Sequence, residues 1–427
     1  MAEKNKMIDG KENAKEETSD LNTKGPELVQ MIGDRLTSLI DQNHPGKSVI
    51  INGISGSQKS LAAASLLAKY NTAVIVVPTQ KDIFRWEENL KFFVPDARIF
   101  SFPVVEEAGF EGTFSSTERL RERMRSLSAM INGEKSIIIA AAVEAAQKIS
   151  APSSIKDHLY KFELGSEIER REVLEVLQDL GYERVDQVER SGHFSVRGDI
   201  VDIYPINEIH PVRIEFFGDE IDSIRLFDVD SQRSIETLES QSVFPVAVKG
   251  SKNSSVLSYL DHGIVFYDEP QRGEESLKQF FKEEKANADK AFLWSELIHT
   301  ARKQTNQEIV FSLLKRELEE FKPSVYHNWN GQEMTNYQRQ IPIFTADLKS
   351  LLNKNWKTAI VIPRASEKRE IEGILTDHQI PMSLDIEEGK VVLLDGVLTE
   401  GFELSDFNLA LITAGDILGR QKLRKYS

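Results

Sequence analysis

The chain has 427 residues, enough for two to four domains and a sizeable core. Its 53 lysines and arginines against 68 aspartates and glutamates give a formal charge of -15, which excludes a general nucleic-acid coat but not a local basic patch. With no cysteine, and 8 histidines without H-x-x-x-H spacing, it offers no disulfide framework, thiolate site or recognisable metal site, which fits a reducing cytoplasm.

In chain order, the first 25 residues are charged, nearly free of apolar side chains, and read as a disordered leader. No signal peptide opens the chain and no apolar run reaches the length of a membrane span. Ser48-Val49-Ile50-Ile51 reads as a buried strand, followed by "NGISGSQKS" (52–60) and a helix-like stretch from Leu61. Strand, glycine loop, Lys-Ser, helix is the layout of a P-loop, G-x-x-x-x-G-K-[ST]. Gly53, Lys59 and Ser60 fit the pattern, Gly56 lies inside it, and Gln58 replaces the second glycine. That glycine lets the backbone approach a phosphate closely. Gln58 therefore points to a relic that keeps the architecture without turnover, with a working ATP site as the other reading.

Apolar strands at 73–78 and 137–140 and helices at 81–93 and 116–131 complete a parallel α/β half-domain. After Pro152, Ser166 and Glu169 form a capping-box pattern that predicts a helix ending at Leu180. The period then switches to two over 184–204 and 212–227, which predicts antiparallel strands and hairpins. The spacing places Val212, Ile214 and Phe216 on one face and Arg213, Glu215 and Phe217 on the other. The same period sets Phe194 and Val196 opposite Ser195 and Arg197, and with Arg184, Arg190 and Arg225 these residues make the module a dense arginine-rich patch. Its composition suits a protein-binding face or a solvated face of ion pairs, and the residues alone leave both open.

The α/β pattern returns after Val243. The strand 263–269 ends in Asp268-Glu269, which resembles a Walker B strand end, where an aspartate holds Mg²⁺ and a glutamate orients water. Helices are predicted at 274–285 and 304–321. A last segment from Tyr337 shows helices at 346–352 and 366–375 and strands at 358–362, 391–394 and 409–412, without motor motifs of its own. The chain stops without a closing helix, as if continued in a larger protein.

"GYERVDQVERSGHFSVRGDIVDIYP" (181–205) and "PVRIEFFGDEIDSIRLFDVDSQRSI" (211–235) resemble the inserted domain shared by UvrB and the bacterial transcription-repair coupling factors. "DVDSQRS" with "GISGSQKSL" favours the coupling factors, and "NYQRQIPIF" and "DGVLTEGFEL" resemble their next small domain. The resemblance implies an α/β fold: a degenerate RecA/P-loop-like parallel-sheet domain (26–154 and 241–330), an inserted α+β UvrA-binding module (155–240), and a small α/β domain (331–427). It implies recruitment of UvrA to stalled RNA polymerase sites through Arg184, Phe194, Arg197, Arg213, Glu215 and Phe217. Truncating Arg184, Arg197 or Arg213 should then weaken UvrA binding and leave the fold intact. It further implies a degenerate nucleotide site at Gly53, Gly56, Gln58, Lys59, Ser60, Asp268 and Glu269, with no catalytic residues, cofactor or metal in this chain. ATP with Mg²⁺, RNA polymerase and duplex DNA would belong to motor and polymerase-binding domains beyond Ser427. UvrB's damage-clamping hairpin corresponds to 101–116, which holds only Phe102, Phe110 and Phe114. The alternatives are a UvrB-type DNA-dependent ATPase and, more weakly, an autonomous regulatory fragment.

Overall fold

The computed structural model describes residues 24–41, 48–67, 69–103, 114–246, 252–283 and 289–419. The leader up to residue 23 and residues 104–113 lie outside the described residues, and with them Phe110.

Helix and strand alternate first: α1 (Lys24–Asp41), β1 (Ser48–Asn52), α2 (Gly56–Leu67), β2 (Thr72–Val77), α3 (Gln80–Phe93), β3 (Arg98–Phe102), α4 (Phe114–Ile131) and β4 (Ser136–Ala141). Two short helices follow, α5 (Ala142–Ala146) and α6 (Pro152–Lys156). The inserted stretch holds β5 (Tyr160–Glu163), α7 (Arg170–Asp179), β6 (Glu183–Arg184), β7 (His193–Arg197), β8 (Ile200–Ile203), β9 (Val212–Phe217), β10 (Glu220–Phe227), β11 (Ser234–Thr237) and β12 (Ser240–Val243). Then come β13 (Gly263–Asp268), α8 (Pro270–Glu283), α9 (Trp294–Gln304), β14 (Thr305–Ser312) and β15 (Ser324–Asn328). The small domain adds β16 (Gly331–Glu333), α10 (Ile341–Asn353), β17 (Lys357–Ile362), α11 (Ala365–Asp377), β18 (Met382–Ser383), β19 (Val391–Asp395), β20 (Phe402–Leu404), β21 (Leu409–Thr413) and α12 (Ala414–Leu418).

The fold is α/β, with a parallel seven-stranded sheet in the order β15-β1-β14-β13-β2-β4-β3. Every residue of β1, β2, β4 and β13 is buried, as expected of short continuous apolar runs in a parallel sheet. The chain divides into two compact units, one drawn from 1–69, 84–97 and 309–427 and the other from 70–83 and 98–308. Within the first unit α1 places Leu28, Ile32 and Leu36 inward at a four-residue spacing, and Val29 O accepts from Ser65 Oγ of α2 at 3.3 Å. The small domain's core joins Phe344, Leu348 and Leu352 of α10, alternate residues Ile360 and Ile362 of β17, and Ile371 and Leu375 of α11.

The inserted stretch is a six-stranded sheet in the order β11-β10-β9-β8-β7-β6, beside a two-stranded sheet of β12 and β5. Phe194, Val201, Ile203, Val212, Ile214 and Phe216 cover its inner face and pack with Val173 and Leu177 of α7. The pairs β7–β8, β8–β9 and β9–β10 are antiparallel as expected, whereas β6 and β7 run parallel.

Two predicted helices are corrected. Ser166 does not cap a helix: its Oγ donates to Glu163 O at 2.7 Å, Ile168 N donates to Asp219 O, and Glu167 bridges Glu220. The segment is thus tied to the β9–β10 turn, and α7 begins only at Arg170. Nor is 304–321 helical. Thr305–Ser312 is β14, with Ile309, Val310 and Phe311 fully buried and paired with Val49, Ile50 and Ile51 of β1. Three consecutive apolar residues suit a strand buried on both faces, not a helix with one apolar stripe.

Candidate functional site

The outer face of the inserted sheet is set by alternation. In β9, Val212, Ile214 and Phe216 are buried, which turns Arg213, Glu215 and Phe217 outward. The register carries the same side across neighbouring strands: Asp202 pairs with Arg213, Ser195 with Asp202, and Arg197 with Ile200. Charges on this face are joined across strands. Asp202, 1% exposed, accepts from Arg213 Nε at 2.7 Å and Nη2 at 3.0 Å, and from Arg197 Nη2 at 2.9 Å. Arg213 also donates to Gln232 Oε1 at 2.9 Å and lies 4.5 Å over the Phe227 ring. Hydrogen bonding to Asp202 pushes the Arg213 guanidinium above its ordinary pKa. Glu215 takes Arg225 and Ser223 as partners. The ion pairs therefore run between strands rather than from Arg213 to Glu215.

Phe217 stands apart, 81% exposed at the end of β9 with Glu220 opposite. Arg197 keeps about half its side chain in solvent. Two residues expected on this face are elsewhere. Phe194 is fully buried in the module core, because it faces Ile203 on the inner side. Arg184 pairs in register with Phe194, so it belongs to the inner side of the exposed edge strand β6 and not to the Arg197–Arg213 patch.

The phosphate-type loop lies in the first unit. Helix α2 begins at Gly56, two residues before the position where the P-loop pattern sets its second glycine. Gln58 N donates to Ser55 O at 3.2 Å, so this amide closes a turn. A phosphate cradle needs that stretch to stay a loop with its N–H groups turned inward. The Gln58 side chain is 1% exposed and its Oε1 accepts from Trp329 Nε1 at 2.7 Å. A Cβ on Gly331 would come within 1.9 Å of the same oxygen, so Gln58 fits only against a glycine there. Lys59 and Ser60 are buried, and Ser60 Oγ accepts from Asn89 at 3.4 Å. Gly53 N donates to Ser312 O at 2.9 Å. Asp268 and Glu269 belong to the second unit: Asp268 ends β13, buried, and Glu269 has a left-handed φ of 43° immediately before α8. Among the described residues no His, Asp and Glu group is arranged to hold a metal ion, and no helix is long and apolar enough to cross a membrane.

The partners of the phosphate-type loop were not visible in the sequence. Trp329, Asn89, Thr399 and Glu400 reach residues 57–60 from far along the chain, and no local pattern marks them.

Residues 160–248 match the UvrB interaction domain family. The chain is similar to the transcription-repair-coupling factor of Bacillus subtilis, with 24% identity over 92% of this chain and 40% of that protein. It is also similar to those of Staphylococcus epidermidis (25% identity, 90% and 39%) and Staphylococcus aureus (22%, 88% and 39%). The chain thus spans about two-fifths of the length of the curated relatives it matches. The stretch matching the UvrB interaction domain family coincides with the sheet that carries Phe217, in a chain similar over nine-tenths of its length to the transcription-repair-coupling factors.

Proposed function

We propose that this chain is the repair-recruiting part of a transcription-repair coupling factor, and that the outer face of β7–β10 binds UvrA. The observation that carries this is Phe217, a phenylalanine 81% exposed on a strand inside the matched interaction domain. An aromatic standing in water beside Glu220 and the Glu215–Arg225 pair has the composition of a binding hot spot with a polar rim. Arg197 contributes a half-exposed guanidinium to the same face. Arg213 acts by holding that face in shape, since its fork is spent on Asp202. Coupling to RNA polymerase and movement on DNA are assigned to parts of the longer relatives that this chain does not span.

The nucleotide site is read as degenerate, which sets this chain apart from a UvrB-type ATPase. Gln58 packs inside the first turn of α2 against Trp329 rather than leaving an open cradle. The test is UvrA binding by the whole chain and its Phe217→Ala and Arg197→Ala variants, with thermal melts as the folding control. Loss of binding in Phe217→Ala with an unchanged melt supports the assignment. Parent-like binding by both variants overturns it.

A further inference from the structure

The phosphate-type loop is filled from within its own unit. Glu400 N donates to Ser57 Oγ at 3.1 Å, and Ser57 Oγ lies 3.2 Å from Thr399 Oγ1. Thr399 N donates to Asn89 Oδ1 at 2.9 Å, and Asn89 in turn reaches Ser60. The Glu400 carboxylate, 18% exposed, stands over Gly56: a Cβ built there would lie 2.2 Å from its Oε2. Gly56 also has a φ of +50°, so both space and backbone require glycine at this point. Arg85 Nη1 lies 3.7 Å from Glu400 Oε1.

The segment that presents Glu400 is held firmly. Asp416, 1% exposed, accepts from Gly401 N at 3.0 Å and from Thr413 N at 2.9 Å and Oγ1 at 2.8 Å. Met334 N donates to Gly401 O at 3.0 Å. A carboxylate is thus delivered by a fixed loop to the side of Gly56, at the first turn of a twelve-residue helix whose dipole favours an anion.

We propose that Glu400 is the resident anion of the former phosphate loop, and that Glu400 and phosphate-class anions exclude one another there. The loop has become a socket for the chain's own 398–401 segment. This inference is independent of UvrA binding. It also separates two causes of a silent site, the bulk of Gln58 and the charge of Glu400, and assigns anion exclusion to the second.

The experiment is a set of thermal melts of the whole chain and its Glu400→Ala and Glu400→Gln variants. Sodium pyrophosphate is titrated to roughly 10 mM, against potassium chloride at matched ionic strength. The parent should melt at one temperature with either salt. Glu400→Ala should melt several degrees lower, and pyrophosphate should restore a few of those degrees where chloride does not. Glu400→Gln keeps the bulk without the charge and should also melt below the parent. Parent-like melting of either variant would overturn the assignment. So would a lowered Glu400→Ala melt that pyrophosphate leaves unchanged, or a parent that responds to pyrophosphate as strongly as the variant.

Discussion

At the centre of the β7–β9 face, Asp202 is 1% exposed and accepts from two arginines of unequal standing. Arg213 gives it a two-pronged bond from a side chain 19% exposed, whereas Arg197 reaches it from one that is 53% exposed. Arg213→Ala would leave a buried carboxylate with one solvent-washed partner. We expect it to destabilise the chain by about 2–4 kcal/mol, read as a fall in the melting temperature, with Arg197→Ala costing under about 1 kcal/mol. The sequence suggested that either arginine could be truncated with the fold intact, and the burial of Asp202 changes that expectation for Arg213. Phe217 is the opposite case. It buries almost nothing within this chain, so Phe217→Ala should move stability by no more than about 0.5 kcal/mol. Its expected cost is in UvrA affinity, roughly thirtyfold or more if it is a hot spot, which titration of UvrA against parent and variant would measure.

Among the module's elements, β7 carries a pH response. His193 is buried and its Nε2 accepts from Arg190 Nε at 2.8 Å, an arrangement for a neutral ring. Burial first, then the Arg190 charge, lower its pKa below the ordinary 6.5, while Glu183 and Glu189 oppose this more weakly. The folded state therefore binds this proton less readily than the unfolded chain. Stability should fall as pH drops from about 6.5 towards the lowered folded value, and be insensitive to this group above about 6.5. Glu208, raised by burial, has the opposite sign and gains stability as pH falls towards its own range. Comparing melts of the parent and His193→Gln between pH 7.5 and 5.5 isolates the histidine: the parent should lose more. This module was also the most legible part of the chain, because alternation over Val212–Phe217 is a local signal and its inner face is fully buried. The resemblance counted Phe194 among the binding residues, yet the two-residue period sets it opposite Arg197 and its partner Ile203 places it inward. Ser166 and Glu169 satisfied a helix-start pattern, but the β9–β10 turn claimed the adjoining backbone. In 304–321, apolar residues at Leu313, Leu314 and Leu318 mimicked a helical period after a real strand. The contacts on the phosphate-type loop could not be read at all, since Ser57 and Glu400 are 343 residues apart.

For the molecule as a whole, two activities separate a recruiting module from a UvrB-type motor. With α2 starting at Gly56 and Gln58 packed under Trp329, phosphate release from ATP should be the same for the parent and Lys59→Ala, with or without DNA. A Lys59-dependent rate near about 1 s⁻¹, an ordinary enzymatic value, would contradict the degenerate reading. DNA binding is the second. A duplex repels a chain of formal charge -15 unless a basic surface or an aromatic clamp compensates. The arginines of the module face are largely engaged, Arg213 with Asp202 and Arg225 with Glu215. Of the aromatics the clamp-like stretch offered, Phe102 is fully buried, with the Arg123 guanidinium 4.9 Å from its ring centre, so it serves the core. Phe110 and the side chain of Phe114 lie outside the described residues. Titration with intact and damaged duplex at physiological salt should therefore give at best the weak, non-specific range, roughly 10⁻⁴–10⁻⁶ M, and lose it steeply as salt rises. Nanomolar binding that prefers damaged DNA and resists salt would mean that uncharged contacts grip the strand, and would restore the clamp that the burial of Phe102 argues against.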